Sequence, residues 1–263
     1  MSRADLPIGV FGSGIGGLTV VRALRRILPE ESIIYLGDTA RVPYGNKSHE
    51  TIQRYALQAG AILSRYNPKL MVIACNTASA HGLAALQAVA PCPVIGVIEP
   101  GAEAAAAMAG PVGVIGTLAT IQSGAYEDAI RRRRPGAVIH SLACPLLVPF
   151  AEEGWMDDPI TDAVCRRYLN QIPFEVRTVV MACTHYPLLL PSLARTRPGT
   201  NWLDSGEYTA RTVDQMLQGS LGYRTASARG SLRILLTDAS SRLQEVGERF
   251  LCEPLESVDL VEL

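Results

Sequence analysis

Short apolar runs alternate with longer amphipathic stretches along this chain, and the alternation begins at once. Residues 8–11 (Ile-Gly-Val-Phe) form an apolar run that opens into a glycine-rich segment, 12–17. Residues 18–28 then place Leu18, Val21, Leu24 and Leu28 on one helical face, and Pro29 follows. The same alternation predicts strands at 32–36, 69–74 and 94–98, with helices at 49–66 and 78–89 between them. The order β-α-β-α-β-α-β implies a parallel sheet with helices on both faces.

A second, similar series follows. Residues 112–117 lie 104 positions after 8–13, residues 137–144 lie 105 after 32–39, and residues 177–185 lie 108 after 69–77. Residues 201–204 fall near the place of 94–97. Four matches in register indicate two structurally related α/β halves. Beyond them come a helix at 207–217, a Gly/Ser/Ala-containing connector at 219–230, a strand at 232–237, a helix at 240–251 and a terminal segment at 258–263. This tail is too small for a third domain and is expected to pack on the first half. The fold expected is α/β, with two pseudosymmetric parallel-sheet domains and the active site in the cleft between them. The first domain is discontinuous, 1–98 plus 206–263, and the second is 99–205.

Composition adds exclusions. With 24 Lys and Arg against 25 Asp and Glu, the formal net charge is −1, which offers no reason to expect nucleic acid or a membrane as the main ligand. The run Arg131–Arg134 reads as the solvated end of a helix before Pro135-Gly136 rather than as a phosphate or nucleic-acid contact. No apolar run reaches the roughly 18 residues of a membrane span, and the first residues lack the pattern of a signal peptide. A cytoplasmic protein is therefore expected. The six cysteines and four histidines show no zinc-site spacing, so no metal is expected.

Two of those cysteines share a context. Val72-Ile73-Ala74-Cys75-Asn76-Thr77 and Val180-Met181-Ala182-Cys183-Thr184-His185 each carry a strand-like run into alanine, cysteine and hydrogen-bonding residues. The carboxyl ends of parallel strands are where α/β proteins hold ligands. If the halves are related by a two-fold axis, the two thiols face each other across one cleft. One thiolate then removes a proton from carbon, and the other thiol returns one to the opposite face. A thiol, with a reference pKa of about 8.5, is readily tuned for such work. Two plain core cysteines would leave the matched polar sequels unexplained. The spacing Gly12-x-Gly14-x-x-Gly17 is also that of a dinucleotide fingerprint, with Asp38 at about the right distance. However, the following segment, Thr39 to Gly45, reads as a site loop rather than a ribose clamp.

The blocks Gly9-Val10-Phe11-x-Ser13-Gly14-x-Gly16-Gly17, Pro43-Tyr44-Gly45, Ala74-Cys75-Asn76-Thr77-Ala78 and Ala182-Cys183-Thr184-His185-Tyr186-Pro187 resemble those of glutamate racemases, of the cofactor-independent aspartate/glutamate racemase family. The resemblance runs in order through essentially the whole chain. It implies interconversion of L- and D-glutamate without pyridoxal phosphate or metal, and supply of D-glutamate for peptidoglycan. By matching position, Cys75 would deprotonate D-glutamate and Cys183 L-glutamate, with His185 assisting Cys183. Asp38 and Glu152 would be supporting polar groups. Gly12, Ser13, Pro43, Tyr44, Gly45, Asn76, Thr77, Thr117, Thr184 and His185 would hold substrate. The resemblance is compatible with a homodimer, and because some members act on DNA gyrase it makes gyrase a candidate protein partner.

One position departs from the pattern. The family's first loop reads Phe-Asp-Ser-Gly, and Gly12 stands in the aspartate's place. Glycine accepts no proton, so a poorly activated Cys75 is expected, and Gly12→Asp is expected to raise turnover. Two other readings stay open on the sequence: a racemase of aspartate or another acidic amino acid, and a glutamate-binding or regulatory protein without turnover. Exchange of the α-hydrogen with deuterated water separates the last from the enzymes.

Overall fold

The computed structural model describes residues 2–226, 228–239, 242–255 and 257–263. The first half runs β1 (Ile8–Gly12), α1 (Leu18–Ile27), β2 (Ile33–Gly37), α2 (His49–Ser64), β3 (Leu70–Ile73), α3 (Asn76–Val89) and β4 (Val94–Gly96). The second half runs α4 (Ile98–Ala106), β5 (Val112–Gly116), α5 (Leu118–Gln122), α6 (Ala125–Arg133), β6 (Ile139–Ala143), α7 (Leu147–Glu153), α8 (Pro159–Leu169), β7 (Thr178–Ala182), α9 (Leu190–Thr196) and β8 (Asn201–Asp204). The chain closes with α10 (Ser205–Met216), β9 (Leu232–Leu236), α11 (Leu243–Leu251) and β10 (Val258–Leu260).

Two parallel sheets result. One has the order β10-β9-β2-β1-β3-β4 and the other β6-β5-β7-β8. Four adjacent strands of the first, β2-β1-β3-β4, repeat the order of the second, which is the internal repeat seen in the sequence. β1, β3, β5 and β7 are buried along their whole length, as strands covered by helices on both faces must be. That requirement is why they read as nearly continuous apolar runs. β9 pairs with β2, and β10 with β9, both in parallel, so the C-terminal segment extends the first sheet.

Strand order locates the site. In each sheet the connections diverge between the first and third strands of its series, β1/β3 and β5/β7, and such switch points are where open α/β sheets bind ligands. The loops leaving those four strands carry Ser13, Cys75, Thr117 and Cys183.

Several boundaries differ from the expectation. The strand at 94–98 stops at Gly96 because Ile98 already begins α4. A π-helical turn, Leu217–Leu221, follows α10 and takes the start of the supposed connector. The expected helix start at 240 lies outside the described residues. Lys69, expected merely to begin a strand, is fully buried; its Nζ reaches Glu31 Oε2 at 2.7 Å, Ala4 O at 2.6 Å and Gly222 O at 3.1 Å. Two hydrogen bonds and one ion pair thus hold β3 to the N-terminal segment, the post-α10 loop and the β2 approach. The arginine run ends α6 as expected, with Arg132 and Arg133 paired to Glu99. No helix among the described residues is long and apolar enough to cross a membrane.

Candidate active site

Cys75 and Cys183 line one cavity of about 340 Å³, together with Ser13, Pro43, Tyr44, Gly45, Asn76, Thr77, Thr117, Glu152, Thr184 and His185. Each thiol arrives on a different sheet, and their surroundings differ.

Cys75 leaves β3 with extended backbone and caps α3, its Sγ accepting the Ala78 N–H at 3.4 Å. Burial pushes this thiol above its ordinary pKa. A hydrogen bond from Ser13 and the backbone N–H groups of Ala78 and Thr77 work in the opposite direction, favouring the thiolate. No carboxylate takes part in that set.

Cys183 leaves β7 into a tight turn. Its Sγ lies 3.7 Å from His185 Nδ1, and His185 Nε2 lies 3.0 Å from Glu152 Oε1 on α7. Burial disfavours the charged ring, but the hydrogen bonds with Cys183 and then with Glu152 outweigh it and lift His185 to about 9. An imidazolium is therefore held beside the second thiol through neutral pH. The ring is backed edge-on by Phe250 of α11, with centroids 5.1 Å apart. It is also met by Gly16, where a Cβ would lie 2.6 Å from Nδ1. Glycine at 16 is what lets the first loop approach the second thiol's partner so closely.

Polar contacts tie the two walls together. The hydroxyls of Thr77, Thr117 and Thr120 form a triangle with sides of 2.9, 3.1 and 2.9 Å. Tyr126 Oη donates to Asn76 Oδ1 at 2.7 Å, and Thr19 Oγ1 donates to the Thr184 carbonyl at 2.9 Å. Ile15, Val42, Leu118, Pro145, Val148 and Pro149 supply an apolar rim. The cavity therefore pairs a ring of donors with two thiols on opposite walls, an arrangement suited to a small acidic molecule with a labile C–H.

Two expected site residues do not line it. Asp38 is fully buried behind Tyr44, which donates to its Oδ2 at 2.5 Å; Arg41 bonds the same oxygen at 2.6 Å and Thr237 bonds Oδ1 at 3.0 Å. Its carboxylate meets the cavity only through the Tyr44 hydroxyl. Gly12 is also absent from the lining, and the space beside it is filled. A Cβ there would collide with Tyr35 Oη and stand 3.0 Å from Tyr35 Cζ. Gly12→Asp therefore does not enter an open place: the Tyr35 hydroxyl has to shift to admit its side chain. Sequence reasoning also missed Tyr35, Thr120, Tyr126 and Phe250. Thr120 had a local signal, since Thr117 caps α5 by accepting its N–H; the other three are brought in by tertiary contact alone.

Of the remaining cysteines, Cys144 and Cys165 are buried, Cys92 is half-buried and Cys252 is exposed. Among the described residues no group of three or more His, Cys, Asp or Glu side chains is placed to hold a metal ion.

The model of the Asp/Glu/hydantoin racemase family matches residues 8–213. A glutamate racemase from Geobacter metallireducens is 47% identical over 260 residues, covering 97% of this chain and 96% of that protein. The solved glutamate racemase from Francisella tularensis in complex with D-glutamate superposes with a TM-score of 0.93 at 36% identity, covering 98% of each chain. That from Thermus thermophilus in complex with β-chloro-D-alanine superposes at 0.91 with 42% identity, covering 99% of this chain and 98% of that one.

Proposed function

The chain belongs to the Asp/Glu/hydantoin racemase family, and on that premise we propose the roles its cavity residues take. The reaction is the interconversion of L- and D-glutamate. Cys75 as thiolate takes the α-proton of D-glutamate, leaving the electron pair on the α-carbon and its carboxylate. Cys183 as thiol returns a proton to the opposite face and becomes the thiolate beside the His185 imidazolium. The reverse turnover uses the same groups with the proton roles exchanged, so atoms and charge balance without a cofactor.

The observation that carries this reading is the unlike support of two thiols in one cavity. Cys183 has a histidine held by Glu152, which accommodates the thiolate formed there. Cys75 has Ser13 and a helix N-terminus instead. Ser13, Asn76, Thr77, Thr117, Thr184 and the backbone of Pro43-Tyr44-Gly45 hold the substrate's carboxylates and ammonium, while Asp38 acts behind them by fixing Tyr44. Gly12 takes no direct part.

The domain limits, 1–98 with 206–263 and 99–205, belong to this reading. So do a cytoplasmic location, a homodimeric state, gyrase as a protein partner and the use of the product in peptidoglycan. The test of the mechanism is Cys75→Ser and Cys183→Ser, assayed for racemisation with both glutamate enantiomers and checked by circular dichroism. A positioned acid–base group is worth roughly 10²–10⁴-fold, so each variant is expected to lose at least about 100-fold while staying folded. More than about a tenth of the parent rate in either variant counts against the two-thiol mechanism.

A further inference from the structure

Tyr35 lies in the middle of β2, in register with Val10 of β1, and is fully buried. Its side chain runs under the loop that follows β1. There its hydroxyl donates to the Gly14 carbonyl. The same hydroxyl occupies the space beside Gly12, and a Cβ at Gly17 would stand 2.7 Å from it. Burial holds the phenol well above its ordinary pKa, so it stays a neutral donor across the working pH range. Between Gly12 and Gly14 in that loop sits Ser13, which lines the cavity with Cys75 and is the chief influence favouring that thiolate.

A segment with glycine at 12, 14, 16 and 17 has little conformational preference of its own. Its shape is set by what it touches. We propose that Tyr35 is a positioning residue for Cys75: its hydroxyl takes the place beside Gly12 and ties down the loop that presents Ser13 to the thiol. Glycine at 12 leaves the room that this hydroxyl occupies. The first wall of the site manages its proton through Ser13, steadied from below by Tyr35.

This rests on the two-thiol reading, so the test compares the thiols with each other. Parent and Tyr35→Phe are incubated with each glutamate enantiomer in deuterated water, and deuterium at the α-carbon of unconverted substrate is followed by mass spectrometry. Loss of one hydrogen bond that orients a reacting group is expected to slow exchange of the enantiomer served by Cys75 on the order of 10-fold. Exchange of the enantiomer served by Cys183 is expected to stay near the parent rate. A folding defect would lower both alike. Equal slowing, or an unchanged ratio, overturns the proposal.

Gly12→Ala gives a second route should Tyr35→Phe not fold. Its methyl displaces the same hydroxyl and is expected to skew the exchange ratio in the same direction. Adding Tyr35→Phe to Gly12→Ala removes the colliding oxygen and is expected to cost little more, a non-additive pair. A parental ratio in Gly12→Ala, or full additivity in the pair, also refutes it. Failure of the underlying mechanism reads out separately, as racemisation surviving in Cys75→Ser.

Discussion

Glu152→Gln probes how the second thiol's partner is tuned. The carboxylate sits 3.0 Å from His185 Nε2, with 44% of its side chain exposed, whereas the His185 side chain is 13% exposed. At that distance Coulomb's law yields about 1.4 kcal/mol in a water-like dielectric and about four times as much at an effective value of 20. The exposure of Glu152 favours the water-like end, and about 1.4 kcal/mol corresponds to roughly one unit of pKa. The carboxylate favours the protonated ring, so removing its charge must lower the pKa, from about 9 to about 8. Above that value the imidazolium beside Cys183 is lost, and the alkaline limb of the pH–kcat/KM profile moves toward acid by the same amount. Because the two enantiomers have equal free energy, kcat/KM shifts identically for both, which serves as an internal check. The assay is the pH profile of racemisation from pH 6 to 10 with direct imidazole titration by NMR. A limb that stays within about 0.3 units of the parent, or moves toward base, would falsify the assignment of His185 as the group held charged by Glu152.

Two further expectations are independent of that pair. Lys69→Met leaves the Glu31 carboxylate buried without its cation, which is expected to cost about 3–5 kcal/mol; urea denaturation would show it as a lowered midpoint, and a loss below about 1 kcal/mol would contradict the role given to the three Nζ contacts. Exhaustive dialysis against a chelator should leave turnover unchanged, and neither pyridoxal phosphate nor divalent metal should raise it; restoration of lost activity by either would refute the cofactor-free reading.

How much of this was legible from residue order differs between elements. The strands that carry the site are buried on both faces, so β1, β3, β5 and β7 must be apolar throughout, and their positions and repetition could be read directly. The two cysteine contexts could be read for the same reason: the end of a buried parallel strand is a fixed place in the fold, and the polar residues after it point into the cleft. The distinction between Asp38 and Glu152 could not. Both are carboxylates near the expected site, yet Asp38 is sealed behind Tyr44 and Arg41 while Glu152 reaches His185 from a helix 33 residues away in sequence. The meaning of Gly12 was equally hidden. A glycine in sequence is a missing side chain, and only the folded chain reveals that a tyrosine from the neighbouring strand fills the space. Local pattern determines which residues lie on strands and at their ends because it follows from burial and backbone geometry. Which side chains then meet across the cleft depends on how two sheets and a returning C-terminal segment pack, and that is decided by contacts between residues far apart in the chain.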